Sequence, residues 1–111
     1  TGSVMSKQDF FNLAGLFVRN NLWLVSDEVY EDLIFEGDFF SPLSNEKLAP
    51  RTVVVSSISK SHAAPGFRSG WAIGPREFCI KTRRRKGMGE DISASKFFDS
   101  SLLEALDGIT L

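Results

Sequence analysis

The sequence predicts an α/β fold, a mainly parallel sheet flanked by helices. Three observations carry this. A capped amphipathic stretch opens the chain at residues 6–19, two apolar strand-like runs follow at 22–25 and 52–55, and a short third run, Trp71-Ala72-Ile73, ends on Gly74-Pro75. Elements in this order are joined by crossover connections, which lay strands side by side in one sheet. Such sheets bind ligands beyond the carboxyl ends of their strands. Chemistry is therefore expected in the residues that follow each strand.

The first helix is marked at both ends. Ser6-Lys7-Gln8-Asp9 has the form of a capping box, with Ser6 as N-cap and Asp9 as the acid three residues on. Phe10, Leu13, Ala14, Phe17 and Val18 recur on one helical face. Asn20-Asn21 ends it, because asparagine tolerates the left-handed conformation. The run Leu22-Trp23-Leu24-Val25 is continuous rather than alternating and predicts a strand covered on both faces. It gives way to Ser26-Asp27-Glu28.

Gly37, Pro42, Ser44, Asn45 and Pro50 make residues 37–51 mostly loop. Thr52-Val53-Val54-Val55 is a second buried strand, β-branched throughout. Pro75 suits the first turn of a helix running through Glu77, Phe78 and Ile80. From Thr82 the character changes to a basic run, Arg83 to Lys86, then Gly87-Met88-Gly89 and a serine-rich patch. Phe97, Phe98, Leu102, Leu103 and Leu106 suggest a short amphipathic helix after it. Residues 1–81 are expected to form part of one large domain, and residues 82–111 a divergent tail.

Bulk properties narrow the function classes. A chain of 111 residues with 42% hydrophobic and 24% charged residues is at most one ordinary globular domain. A net charge of -1 gives no general attraction to nucleic acid or anionic membrane. No run approaches the roughly 18 apolar residues of a membrane span. One cysteine, Cys79, forms no internal disulfide, which fits a reducing, cytoplasmic setting. No metal-ligand spacing is visible.

Lys60 is pivotal. It closes the stretch Ser57-Ile58-Ser59-Lys60 directly after the second strand. A lysine desolvated there would have a lowered pKa and would form Schiff bases with carbonyl compounds. The plain alternative is a solvated loop lysine. Ser57 and Ser59 supply hydroxyls, Arg68 a planar fork suited to phosphate, and Pro65-Gly66 a turn that would return Arg68 to the strand end. A phosphate-bearing aldehyde would fill such a site.

Asp27 ends the first strand, either as a helix N-cap or as counter-ion to a protonated ring nitrogen. Pyridoxal 5'-phosphate carries a ring nitrogen, a phosphate and an aldehyde, which map onto Asp27, the Ser57–Ser59–Arg68 cradle and Lys60. Tyr30 would donate to the ring's phenolic oxygen, or is a boundary tyrosine with a wet hydroxyl. Ser57-Ile58-Ser59-Lys60 also satisfies S-x-x-K of serine β-lactamases and penicillin-binding proteins. That family needs S-D-N and K-T-G downstream, whereas Ser26-Asp27-Glu28 lies upstream and Lys81-Thr82-Arg83 lacks the glycine.

The stretches "SDEVYEDLIF" and "SSISKSHAAPGFRSGWAIGP" resemble the class I/II aminotransferases, fold type I pyridoxal-phosphate enzymes related to aspartate aminotransferase. Ser57, Ser59, Lys60, Gly66, Arg68 and Gly70 fill the family's S-x-S-K…G-x-R-x-G motif, and Asp27, Glu28 and Tyr30 its D-E-x-Y element. Thr1-Gly2 looks like the end of its N-P-T-G. The resemblance implies that Lys60 holds the cofactor as a Schiff base and then serves as general acid/base for the proton shift. It implies that Asp27 keeps the pyridine nitrogen protonated, that Tyr30 bonds the ring phenolate, and that Ser57, Ser59 and Arg68 hold the phosphate.

The family's substrates are an amino acid and a 2-oxo acid, and its members are usually homodimers. A lyase on the same fold, such as a carbon–sulfur lyase, or a non-catalytic α/β remnant are the alternatives. The substrate-carboxylate arginine is not identified with Arg83, Arg84 or Arg85. The 111-residue chain alone is expected to be inactive.

Overall fold

A computed structural model describes residues 2–85. Helix α1 spans Lys7–Arg19, strand β1 Leu24–Asp27, strand β2 Thr52–Ser57, the single-turn helix α2 Ile58–Ser61, strand β3 Gly70–Ile73 and helix α3 Arg76–Arg85. Short 3-10 turns lie at Glu31–Leu33, Pro42–Ser44, Ala49–Arg51 and Pro65–Phe67. The Gly87-Met88-Gly89 stretch and the apolar pattern at 97–106 lie outside the described residues, as do the side chains of the basic run.

The caps of α1 form as the sequence dictates. Ser6 Oγ accepts from the Asp9 N–H at 3.1 Å and donates to the Asp9 carboxylate at 2.6 Å. Asn21 takes φ 52° in the left-handed region, which turns the chain into β1. Arg51 then fastens the helix end to the sheet, its Nη1 donating to Phe17 O, Asn21 Oδ1 and Leu22 O at 3.2–3.4 Å. Ala14 is buried, and Phe10 meets Phe40 edge to face at 5.5 Å between centroids.

The strands lie in the order β1-β2-β3. β1 and β2 run parallel, with Asp27 beside Val55, and β2 and β3 run antiparallel, with Ser57 beside Gly70. The α/β class holds, and within the described residues the sheet is mixed. Its antiparallel pair arises because residues 58–69 fold back on the end of β2 rather than crossing over.

One face of the sheet packs on α3. Val53, Ala72, Phe78 and Cys79 are buried together with Trp23 and Val55 against them, and the Trp23 and Phe78 rings lie 6.2 Å apart. Burying a side chain the size of Phe78 contributes about 1.5–3 kcal/mol. On the other face Thr52 and Val54 are buried with Leu48 and Pro42 nearby, and Thr52 Oγ1 donates to Leu48 O at 2.8 Å.

β1 corrects one expectation. Its burial alternates, and Val25 remains 49% exposed, so it is not covered on both faces. A continuous apolar run reports hydrophobicity but not which neighbour reaches each face.

Candidate functional site at the carboxyl ends of the strands

β1 and β2, being parallel, end at the same edge of the sheet, and both motifs of the sequence emerge there. Asp27 is the last residue of β1. Its Oδ1 accepts from the Val29 N–H at 3.2 Å, an Asx turn that bends the chain toward Tyr30. Ser57 is the last residue of β2 and the N-cap of α2, its Oγ accepting from the Ser59 N–H at 3.3 Å. Since Asp27 pairs with Val55, it stands two residues short of Ser57 on the adjoining strand.

The segment from Lys60 to Arg68 is a closed excursion. It leaves at Ser57 and returns at Gly70, which pairs with Ser57, and the Ile58 N–H donates to Ser69 O at 3.3 Å. Gly70 is required by close approach, because a Cβ there would lie 2.9 Å from Ser56 O and 3.3 Å from Ser57 Cβ. Ala63 and Arg68 both take left-handed φ, 47° and 51°, so the bend is made partly by non-glycine residues under strain. The Arg68 guanidinium turns back on the loop and donates to Pro65 O at 3.2 Å.

The Glu31–Leu33 turn and the Pro65–Phe67 turn both pack against α2. As a result Lys60 Nζ stands 5.8 Å from the centroid of the Tyr30 ring, a cation–π contact. Lys60 and Tyr30 are thus brought together. Arg68 is delivered to the same strand end, but among the described residues its guanidinium makes no hydrogen bond to Ser57 or Ser59. Asp27 and Lys60 lie exposed in this chain rather than in the desolvated setting the sequence suggested, since no layer of the described residues covers this edge.

Among the described residues, the ionisable groups here have no ionic partner of their own. Among the described residues the one salt bridge is Lys81 with Glu77, on α3. Asp27, Lys60 and Arg68 thus keep only an N–H, an aromatic ring and a carbonyl as neighbours, and none of the three is ion-paired among the described residues.

Two features of the site were not read from the sequence. Glu28 is buried at 5% exposure beneath the Asp27–Tyr30 turn, and Ser41 Oγ donates to its Oε1 at 2.8 Å. Burial pushes the Glu28 carboxyl above its ordinary range; the Ser41 and Ser26 hydroxyls draw it back, and Glu31 raises it further. The spacing between Glu28 and Ser41 follows no local period, so only the fold reveals the pair. The second feature, the contact of Gly70 with β2, had its signal in the glycine itself.

A cleft of about 800 Å³ between α1 and residues 44–47 includes none of these side chains. Among the described residues, no group of three His, Cys, Asp or Glu could hold a metal, and no helix is long and apolar enough to cross a membrane.

With the sheet, the strand-end lysine and the Asp27–Tyr30 turn in place, comparison with known proteins identifies the class. The family model of aminotransferase class I and II matches residues 1–107, and the chain belongs to this family. It is 42% identical over 79 residues to the arginine–pyruvate transaminase of Pseudomonas aeruginosa, covering 71% of this chain and 20% of that one. It is 44% identical over 107 residues to the aspartate/prephenate aminotransferase of Thermus thermophilus, covering 96% of this chain and 27% of the relative.

Among solved structures, it is similar to N-succinyldiaminopimelate aminotransferase from Mycobacterium tuberculosis, with TM-score 0.71 and 33% identity over 97% of this chain and 28% of that one. It is also similar to the aromatic aminotransferase of Pyrococcus horikoshii, with TM-score 0.65 and 36% identity over 68% of this chain and 20% of that one. The chain spans between 20% and 27% of the length of the two curated relatives.

Proposed function

We propose that this chain is the cofactor-holding segment of a pyridoxal-phosphate-dependent aminotransferase, which moves an amino group from an amino acid to a 2-oxo acid. The observation that carries the proposal is the strand edge itself. Asp27 ends β1, Ser57 ends the parallel β2, Lys60 meets the Tyr30 ring at 5.8 Å just beyond it, and Arg68 stands two residues before Gly70, the partner of Ser57, so a carboxylate, hydroxyls, an amine, a phenol and a guanidinium all follow one edge of the sheet. Those donor types match the aldehyde, ring nitrogen, phosphate and phenolic oxygen of pyridoxal phosphate. Family membership and the aminotransferase names of the relatives support the same assignment.

When bound, the cofactor supplies an aldehyde that condenses with amines and a ring that draws electrons from the reacting carbon. The chain's own residues would do the rest. Lys60 Nζ is the amine that holds the aldehyde carbon; once freed, it moves a proton at the substrate Cα. The Asp27 carboxylate, anchored by the Val29 N–H, keeps a ring nitrogen protonated by its charge. The Tyr30 hydroxyl donates to the phenolic oxygen, and its ring steadies Lys60. Ser57 and Ser59 hydroxyls and the Arg68 fork bind phosphate, which requires the guanidinium to leave Pro65 O.

The family's habit of dimerising, and the single buried Cys79, support reading the whole protein as a cytoplasmic homodimer. We read residues 1–81 as part of the large domain; the family match continues past them to residue 107.

A chimera tests the reaction. Residues 1–107 replace the matching segment of the Thermus thermophilus relative, and amino-group transfer is followed with several amino acids. The chimera is expected to transaminate, and Lys60→Ala to lower the rate by at least about 100-fold, the low end for removing a general acid/base. A folded chimera whose activity is unchanged by Lys60→Ala would overturn the assignment.

A further inference from the structure

Building on that assignment, we propose that Glu28 and Ser41 form a part-buried strut that sets the turn from Asp27 to Tyr30, and so holds Tyr30 against Lys60. Glu28 is a positioning residue: it is buried, and it is held at its N–H, its carbonyl and its carboxyl group. Its N–H donates to Val55 O of β2 at 2.9 Å. Its carbonyl accepts from the Glu31 N–H at 3.0 Å and from Ser56 Oγ at 3.4 Å. Its carboxylate accepts from Ser41 Oγ at 2.8 Å.

Ser41 is itself built in. Its Oγ caps the Pro42–Ser44 turn by accepting from the Leu43 N–H at 3.4 Å, and its carbonyl accepts from Ser44 Oγ at 2.6 Å. Pro42 beside it is fully buried. The strut therefore links the functional turn to a part of the chain that cannot readily shift.

The site residues have few anchors of their own. The Asp27 carboxylate has one hydrogen bond among the described residues, from the Val29 N–H two residues on, and Tyr30 is 57% exposed with its ring meeting Lys60. The sheet holds the Asp27 backbone beside Val55, whereas Tyr30 takes its place from the turn that follows, and Glu28 fixes that turn. Removing Ser41 takes from the buried Glu28 carboxyl its hydrogen-bond donor, and removing the Glu28 carboxyl takes from Ser41 its acceptor; the turn relieves the loss by moving.

The test uses the 111-residue chain. Tyr30 is its single tyrosine, so the ring resonances are unambiguous. The nuclear Overhauser cross-peak between the Tyr30 ring and the Lys60 side chain is measured in the wild type, Glu28→Gln, Glu28→Leu and Ser41→Ala. Glutamine keeps an acceptor for Ser41, and the cross-peak is expected to persist. In Ser41→Ala and Glu28→Leu it is expected to weaken, the ratio of contact to open turn falling about fivefold, the shift that one net hydrogen bond supports, while the resonances of Phe78 and Cys79 stay in place. Ser41→Ala removes one hydroxyl only and decides the matter where Glu28→Leu does not fold. An undiminished cross-peak in Ser41→Ala, or a loss in Glu28→Gln as deep as in Glu28→Leu, would overturn the strut. Trapping of pyridoxal phosphate on Lys60 is scored separately in the wild type. Its absence, with the cross-peaks behaving as expected, overturns the cofactor assignment and leaves the strut standing.

Discussion

At the scale of single residues, the family motif separates into positions that the fold demands and positions that it does not. Gly70 has no room for a side chain against Ser56 O, whereas a Cβ on Gly66 would meet nothing within 4 Å. Gly70→Ala is therefore expected to destabilise the chain by about 1–3 kcal/mol, the usual cost of overpacking. Gly66→Ala should stay within about 0.5 kcal/mol. Denaturant unfolding of the two variants checks this, and equal losses would contradict it.

Glu28 makes a pH-dependent contribution with a definite sign. Its folded carboxyl holds a proton more tightly than the unfolded chain does. That contribution is complete below the unfolded carboxyl pKa and is lost as pH rises through the raised folded value. Wild type should therefore lose stability relative to Glu28→Gln as pH climbs through this window. The difference in unfolding midpoint between the two proteins, followed against pH, isolates Glu28 from the other acids. A difference that moves the opposite way would show that the buried carboxyl favours its ionised form.

At the scale of elements, local signals were legible and neighbours were not. Ser6, Asp9 and Asn21 announced both ends of α1, because capping depends only on residues within a turn of each other. The strand runs at 22–25 and 52–55 were also legible, although the first strand starts two residues later, at Leu24, and both run on to Asp27 and Ser57; their surroundings differ. Val53 and Val54 are buried on both sides of β2, while Val25 beside Val53 is half exposed. Both runs are apolar, so hydrophobicity alone does not distinguish them. The antiparallel return of β3 was hidden for the same reason, since it depends on the Ser57–Gly70 pairing.

The difference in cover is measurable. Phe78→Ala, in the core beneath the sheet, is expected to destabilise by about 3–5 kcal/mol. Val25→Thr, on the same face of the sheet but half exposed on β1, should change stability by less than about 0.5 kcal/mol. Comparable losses in calorimetry would mean that Val25 is covered in solution.

At the scale of the whole molecule, the site was more legible than its setting. Lys60, Asp27 and Tyr30 were singled out from motif order and strand ends, and the parallel pairing of β1 with β2 places their backbones at one edge. The Lys60–Tyr30 contact follows from the packing of the Glu31–Leu33 turn on α2, which no sequence period encodes. Among the described residues the low dielectric expected around Lys60 and Asp27 is missing, because enclosure is a property of surrounding layers, not of a motif. A chain spanning 20–27% of the length of the two relatives carries Lys60 and the Ser57–Arg68 loop, with no described residue layered over that edge.

The central claim is that this strand edge selects pyridoxal phosphate through Lys60. Its most direct test is to incubate the 111-residue chain with pyridoxal phosphate, reduce with borohydride and map the modified lysine by mass spectrometry. The account predicts an adduct concentrated on Lys60 and lost in Asp27→Ala and in Arg68→Ala. Labelling scattered over the lysines, and indifferent to those substitutions, would contradict it.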